Sequence, residues 1–131
     1  MLGILAKKVG MTQIFEDGKE IPVTVVEIGE NYVLQKKTED KDGYSALQLG
    51  FDEMKEKNTK DPLKGIFKKA GVNPQRFIKE FKVDSVEDYE LGQGLKADIL
   101  EGNEYVDVTG TSKGKGFQGT IKRHNFSKQP A

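Results

Sequence analysis

Residues 20–28 (EIPVTVVEI) hold the densest run of β-branched and apolar positions in the chain and predict a strand. The segments before it alternate in the same way. Residues 2–8 predict a short first strand. In residues 11–15, Met11, Gln13 and Phe15 fall on one face of a second strand, with Thr12 and Ile14 on the other. Residues 16–19 (EDGK) lie between two such runs and predict a tight hairpin, because Asp-Gly supplies the positive φ that such turns need. Pro22 has no N–H for a ladder, so it belongs near the strand start or at an edge. Residues 29–31 then turn, and residues 32–36 predict the next strand of a β-meander.

Beyond the meander the pattern becomes mixed. Residues 38–43 (TEDKDG) predict a charged loop, residues 44–51 (YSALQLGF) a strand and residues 54–60 a surface loop. Leu63, Ile66, Phe67 and Ala70 follow the i, i+3, i+4, i+7 spacing of one helical face. Asp61 suits the cap of that helix, Pro62 its first position and Gly71 its end. Residues 76–83 (RFIKEFKV) predict a strand. The acidic stretch 84–94 ends in a turn at residues 92–94, and residues 95–100 predict a strand. Residues 101–104 turn back, residues 105–109 (YVDVT) predict a last strand, and residues 117–124 a short helix. Residues 125–131 read as irregular. Lys64, Lys68, Lys69 and Lys79 are dense, but with the acids that follow they read as a solvated face.

A length of 131 residues predicts one domain, able to bury roughly two-thirds of its unfolded surface. The absence of cysteine excludes disulfides, thiolate metal sites and a cysteine nucleophile, and fits a reducing cytoplasmic setting. Neither a signal peptide nor an 18-residue apolar run is present, so no membrane partner is expected. The net charge of zero hides a step. Residues 1–112 carry 16 Lys+Arg and 21 Asp+Glu; residues 113–131 carry five Lys+Arg and no acid. On charge alone, an anion-binding tail and a solvated tail remain equally open.

Residues 108–123 (VTGTSKGKGFQGTIKR) bring four glycines, four cations and several hydroxyls together without a carboxylate. Gly114, Gly116 and Gly119 satisfy G-x-G-x-x-G, so a nucleotide-binding domain is the alternative reading. It lacks the βαβ unit, the second parallel strand and the ribose-binding acid that such a site requires. His124 is the only histidine, which excludes a His-rich zinc site and leaves Ser112 and Ser127 with no other visible base. No enzyme, cofactor, metal or small-molecule substrate is expected. The remaining reading is contact with a polynucleotide. Lys113, Lys115, Lys122, Arg123 and Lys128 would neutralise phosphates, and Thr111 and Ser112 would bond phosphate oxygens. Gly114 and Gly116 would allow close approach. Phe117 and Phe126 either stack on bases or pin the tail to its own core, the second being preferred for Phe117. His124 either stacks or is neutral filler. Lys7 and Lys8 add a weak second cationic pair.

Residues 3–15 (GILAKKVGMTQIF), followed by residues 21–25 (IPVTV), resemble the opening of the bacterial large-subunit ribosomal protein L3 family. Residues 106–119 (VDVTGTSKGKGFQG) resemble that family's most recognisable segment, and residues 122–126 (KRHNF) extend it; residues 50–100 agree more by pattern than by identity. The resemblance implies a mainly β protein: a translation-protein-type β-barrel with a small α+β insertion and a basic extended segment. It implies a β-barrel part over residues 1–112, an inserted lobe at about 45–95, and the root of an RNA-binding extension at 113–131. It also implies a structural, non-catalytic constituent of the cytoplasmic large ribosomal subunit that binds 23S-type ribosomal RNA, supports early assembly and reaches toward the peptidyl transferase region. The fourteenth and nineteenth large-subunit proteins would be its neighbours. Family members continue for several dozen residues past the position of Ala131, so the expectation extends to a truncated chain and an incomplete barrel.

Overall fold

The computed structural model describes residues 3–129. Strand β1 (Lys7–Glu16) and strand β2 (Lys19–Glu27) form an antiparallel hairpin. Its two-residue turn places Asp17 at φ 50° and Gly18 at φ 74°, the left-handed pair that matches the twist of the flanking strands. The expected break between two strands before residue 11 is absent. Instead β1 runs through a bulge: Lys8 pairs with Val26 and Gly10 with Val25, so Val9 is the extra residue. Residues 3–6 carry no strand, and Leu2 lies outside the described residues. Pro22 stands opposite Gln13 without breaking the pair, because each strand of a two-stranded ribbon is an edge.

A second sheet has four antiparallel strands in the order β5, β4, β3, β6: β3 (Asn31–Lys37), β4 (Ala46–Glu53), β5 (Gln75–Lys82) and β6 (Gly94–Leu95). Between β3 and β4 the expected loop contains a single helical turn, α1 (Glu39–Asp42), closed by Gly43 at φ 80°. The segment before the main helix includes a 3-10 turn, Glu56–Asn58. The main helix, α2 (Asp61–Ala70), starts one residue earlier than expected. Lys60 is its cap position and Asp61 its first helical residue. The Asp61 carboxylate accepts a hydrogen bond from Lys64 Nζ at 2.8 Å instead of capping the backbone. Gly71, at φ 70°, ends the helix as expected.

Alternation puts apolar side chains on both faces of this sheet. Leu34 packs with Phe67 and Ala70 of α2, supported by Tyr32, Leu63, Ile66, Val72 and Ile78. On the other face Val33, Leu47 and Leu49 pack with Val83, Val86 and Leu95, supported by Leu5, Phe81 and Tyr89. The acidic segment after β5 therefore covers one side of the sheet while α2 covers the other. Gly92 closes that cover. It sits at φ 79°, and a Cβ there would meet the Ala70 carbonyl oxygen at 2.5 Å. Asn31, fully buried, ties in the N-terminal segment: Leu5 N–H donates to its Oδ1 at 2.8 Å, and its Nδ2 donates to the Leu5 carbonyl at 3.0 Å.

Two expected strands are corrected. Residues 95–100 give only the end of β6 and then a 3-10 turn, Ala97–Leu100. Residues 105–109 form no strand: Tyr105 is 89% exposed and Val108 84%, and no described strand pairs with them. A β-branched run becomes a strand only where a neighbour supplies ladder bonds and a packed face. The architecture is mainly β, with two antiparallel sheets and, among the described residues, no closed barrel. The chain divides into two units, Met1–Glu101 and Gly102–Ala131.

Candidate nucleic-acid interface

The second unit holds most of the candidate residues. From residue 103 to residue 119 its backbone has no regular structure, and helix α3 (Thr120–His124) is shorter than the expected 117–124. The cause is local. Gly116 adopts φ 67°, outside helical space for most residues, and Gly119 is extended at the cap position. The Gln118 side-chain amide donates to the Lys115 carbonyl at 3.3 Å and folds residues 115–118 into a turn. Arg123 N–H donates to the Gly119 carbonyl at 3.0 Å, and Asn125, at φ 56°, ends the helix.

Lys113, Lys115, Lys122, Arg123 and Lys128 are all exposed, and among the described residues none of them has an ion pair. Thr111, Ser112, Gly114 and Gly116 are equally open, and a Cβ at either glycine would meet nothing within 4 Å. Phe117 is 103% exposed, which overturns the expectation that it pins the tail to a core. His124 and Phe126 meet edge to face, with ring centroids 6.1 Å apart and planes at 63°. This contact leaves Phe126 61% exposed. The segment thus offers cations, hydroxyls, unhindered backbone and open rings, the set that binds a flexible polyanion. It does not offer a dinucleotide site: among the described residues no strand runs directly into Gly114, and the following helix has five residues.

Lys7 and Lys8 belong to the first unit, at the start of β1, where both are exposed. Lys7 faces Glu27 across the hairpin and lines a cleft of about 520 Å³ that also holds Glu30, Asp52 and Glu53. Glu30 is held below the ordinary carboxylate range, first by the Tyr32 hydroxyl that donates to it and then by Lys96, whose Nζ is 3.2 Å away. The same bond pushes the Tyr32 phenol upward. The carboxylates of this cleft weaken any contact that Lys7 makes with a phosphate. The cations of the first unit are densest on α2 and the segment before it; of these, Lys64, Lys68 and Lys69, with Lys79 on β5, are the group the sequence reads as a solvated face. Among the described residues no three His, Asp or Glu side chains are arranged to hold a metal ion.

The family model described as "Ribosomal protein L3" matches residues 30–131. The chain is 71% identical over 123 residues to the "Large ribosomal subunit protein uL3" of Fusobacterium nucleatum subsp. nucleatum, covering 94% of this chain and 58% of that protein. The proteins of the same name from Alkaliphilus metalliredigens and Carboxydothermus hydrogenoformans are 56% and 57% identical. Those alignments cover 99% and 98% of this chain and 62% of each relative. The chain thus spans about three-fifths of the length of the curated relatives it matches. With most of its length matched by the family model, this chain belongs to the ribosomal protein L3 family.

Proposed function

We propose that this chain is a structural, non-catalytic part of the cytoplasmic large ribosomal subunit, binding 23S-type ribosomal RNA through residues 111–128. The observation that carries the reading is the acid-free segment itself. Five cations stand exposed and, among the described residues, without ion pairs on a glycine-rich backbone, and the matched relatives are named large-subunit ribosomal proteins. Lys113, Lys115, Lys122, Arg123 and Lys128 neutralise phosphates. Thr111 and Ser112 bond their oxygens, and Phe117 and His124 supply rings for stacking. Lys7 and Lys8 contribute a separate, weaker contact.

The division proposed with it is a β-barrel part over residues 1–112, an inserted α+β lobe at about 45–95, and the root of an extension at 113–131. The β1–β2 hairpin supports the barrel. Met11 and Phe15 are 67% and 72% exposed on it, and Val25 and Val26 over 40%, as expected of strands built to be covered by further strands. The fourteenth and nineteenth large-subunit proteins are the proposed protein neighbours, in early assembly near the peptidyl transferase region.

The test is the salt dependence of binding to transcribed large-subunit ribosomal RNA. Five phosphate contacts give a slope of log K against log salt of about −3.5 to −4.5, from the single-strand and duplex coefficients. Lys113→Gln with Lys115→Gln lowers the magnitude of that slope by about 1.4–1.8 without altering sequence preference. A flat salt response sinks the proposal.

A further inference from the structure

The β1–β2 hairpin has two outer edges, and among the described residues neither is paired with a further strand. The two edges differ. The bulge at Val9 interrupts the β1 edge, and a bulge turns a strand away from further pairing. Strand β2 is regular over all nine of its residues. Pro22 has no N–H, so it withholds at most one donor from the outer edge. An open, regular edge is a template for another strand.

The order of residues along β2 specifies which strand fits. Directly opposed residues of an antiparallel pair share a face. Ile14 with Ile21, Thr12 with Val23 and Gly10 with Val25 therefore lie on one face of the hairpin. Glu16 with Lys19 closes that face at the turn, and Lys7 with Glu27 closes it at the open end. A second copy can be laid antiparallel against β2, about a twofold axis at Val23. Val23 then meets its own copy, Ile21 meets Val25 of the second copy, and Lys19 meets Glu27 of the second copy. At each end the row across four strands becomes Glu16, Lys19, then Glu27 and Lys7 of the second copy, and its charges alternate in sign. On the other face Glu20 meets Val26 and Pro22 meets Thr24 of the second copy, so no like charges are opposed. Neighbouring registers lose this match. An axis at Pro22 sets the two prolines against each other and Lys19 against Val25, and an axis at Thr24 sets Ile21 against Glu27. Placing the axis between residues would set the apolar face of one copy beside the polar face of the other.

We propose that the free chain dimerises through the β2 edge, joining two hairpins into one four-stranded antiparallel sheet with a continuous apolar face. The occupant is a second copy because β2 is complementary to itself. A twofold contact requires each charge to meet its opposite at the far end of the same strand, and Lys19 and Glu27 stand at those ends. The inference concerns the chain without RNA and does not rest on the RNA-binding reading.

The experiment is sedimentation equilibrium of the full 131-residue chain, without RNA, over a concentration series up to about 1 mM. The unmodified chain is expected to follow a monomer–dimer equilibrium. Lys19→Glu sets glutamate against glutamate at both ends of the contact, and Glu27→Lys sets lysine against lysine. Each variant alone is expected to dimerise about tenfold more weakly. An equimolar mixture of the two variants restores opposite charges at both ends and is expected to recover the dimer as a heterodimer. Recovery in the mixture also shows that both variants are folded. An unmodified chain that stays monomeric throughout the series overturns the inference. So do variants that each dimerise as the unmodified chain does, which would place the contact elsewhere, and a mixture no more dimeric than its two components.

Discussion

Asn31 uses its side-chain amide as a strand uses a backbone. Its Oδ1 accepts from the Leu5 N–H, and its Nδ2 donates to the Leu5 carbonyl and to the Gly29 carbonyl at 3.1 Å. It is completely buried, so truncation leaves these backbone groups without partners in a place water reaches poorly. Asn31→Ala should therefore destabilise the first unit by about 2–4 kcal/mol, three net hydrogen bonds plus part of a desolvation penalty. Urea unfolding measures it, and a loss below about 0.5 kcal/mol would mean that Leu5 is anchored mainly by its apolar contacts. The sequence suggested Asn31 only as a turn residue. A bond to a partner 26 positions away leaves no local trace, whereas the Asp17-Gly18 turn was legible because its cause lies in the two residues themselves. The same limit applied to Phe117, whose ring gives no sign in the sequence of whether a core lies within reach.

Among the elements, α2 was the most legible, since its apolar spacing alone defines which face is buried. Phe67 is the centre of that face, 2% exposed against Leu34 and Ala70. Phe67→Ala should cost about 3–5 kcal/mol, the range for removing a buried aromatic and leaving a cavity. Phe67→Leu keeps much of the volume and should cost considerably less. Equal losses in the two variants, measured by urea unfolding, would show that the ring's shape rather than its volume holds the helix to the sheet. The start of α2 was harder to read. Asp61 suits a cap chemically, but Lys64 three residues on competes for its carboxylate. That bond holds Asp61 below the ordinary carboxylate range and pushes Lys64 above the ordinary lysine value. Residues 105–109 failed as a strand for a different reason. Their pattern is correct, but strand formation is a property of a pair, and a single sequence shows only one member of it.

At the scale of the whole molecule the burial step comes first, before residue 102, and the charge step follows at residue 113. Every buried residue described lies at or before Leu95, and from residue 102 to residue 129 only Gln118 is better than exposed. The first unit therefore holds the described core, and the second contributes charge and open backbone without contributing apolar burial. The step in charge at residue 113 was visible in the sequence; the step in burial was not, because Tyr105, Val106 and Val108 look like core residues until their exposure is known. This separation predicts that stability and RNA binding can be removed independently. A chain ending at Glu101 should melt within about 2 °C of the full chain, the shift produced by a few tenths of a kcal/mol in a domain of this size. Its affinity for ribosomal RNA should fall by the contribution of the five missing cations, most steeply at low salt. Calorimetry and a salt titration on the same two chains check both halves. A Tm lowered by more than about 5 °C, near 1 kcal/mol for about 100 residues, would mean that residues 102–131 stabilise the fold and that their exposed side chains are engaged in solution.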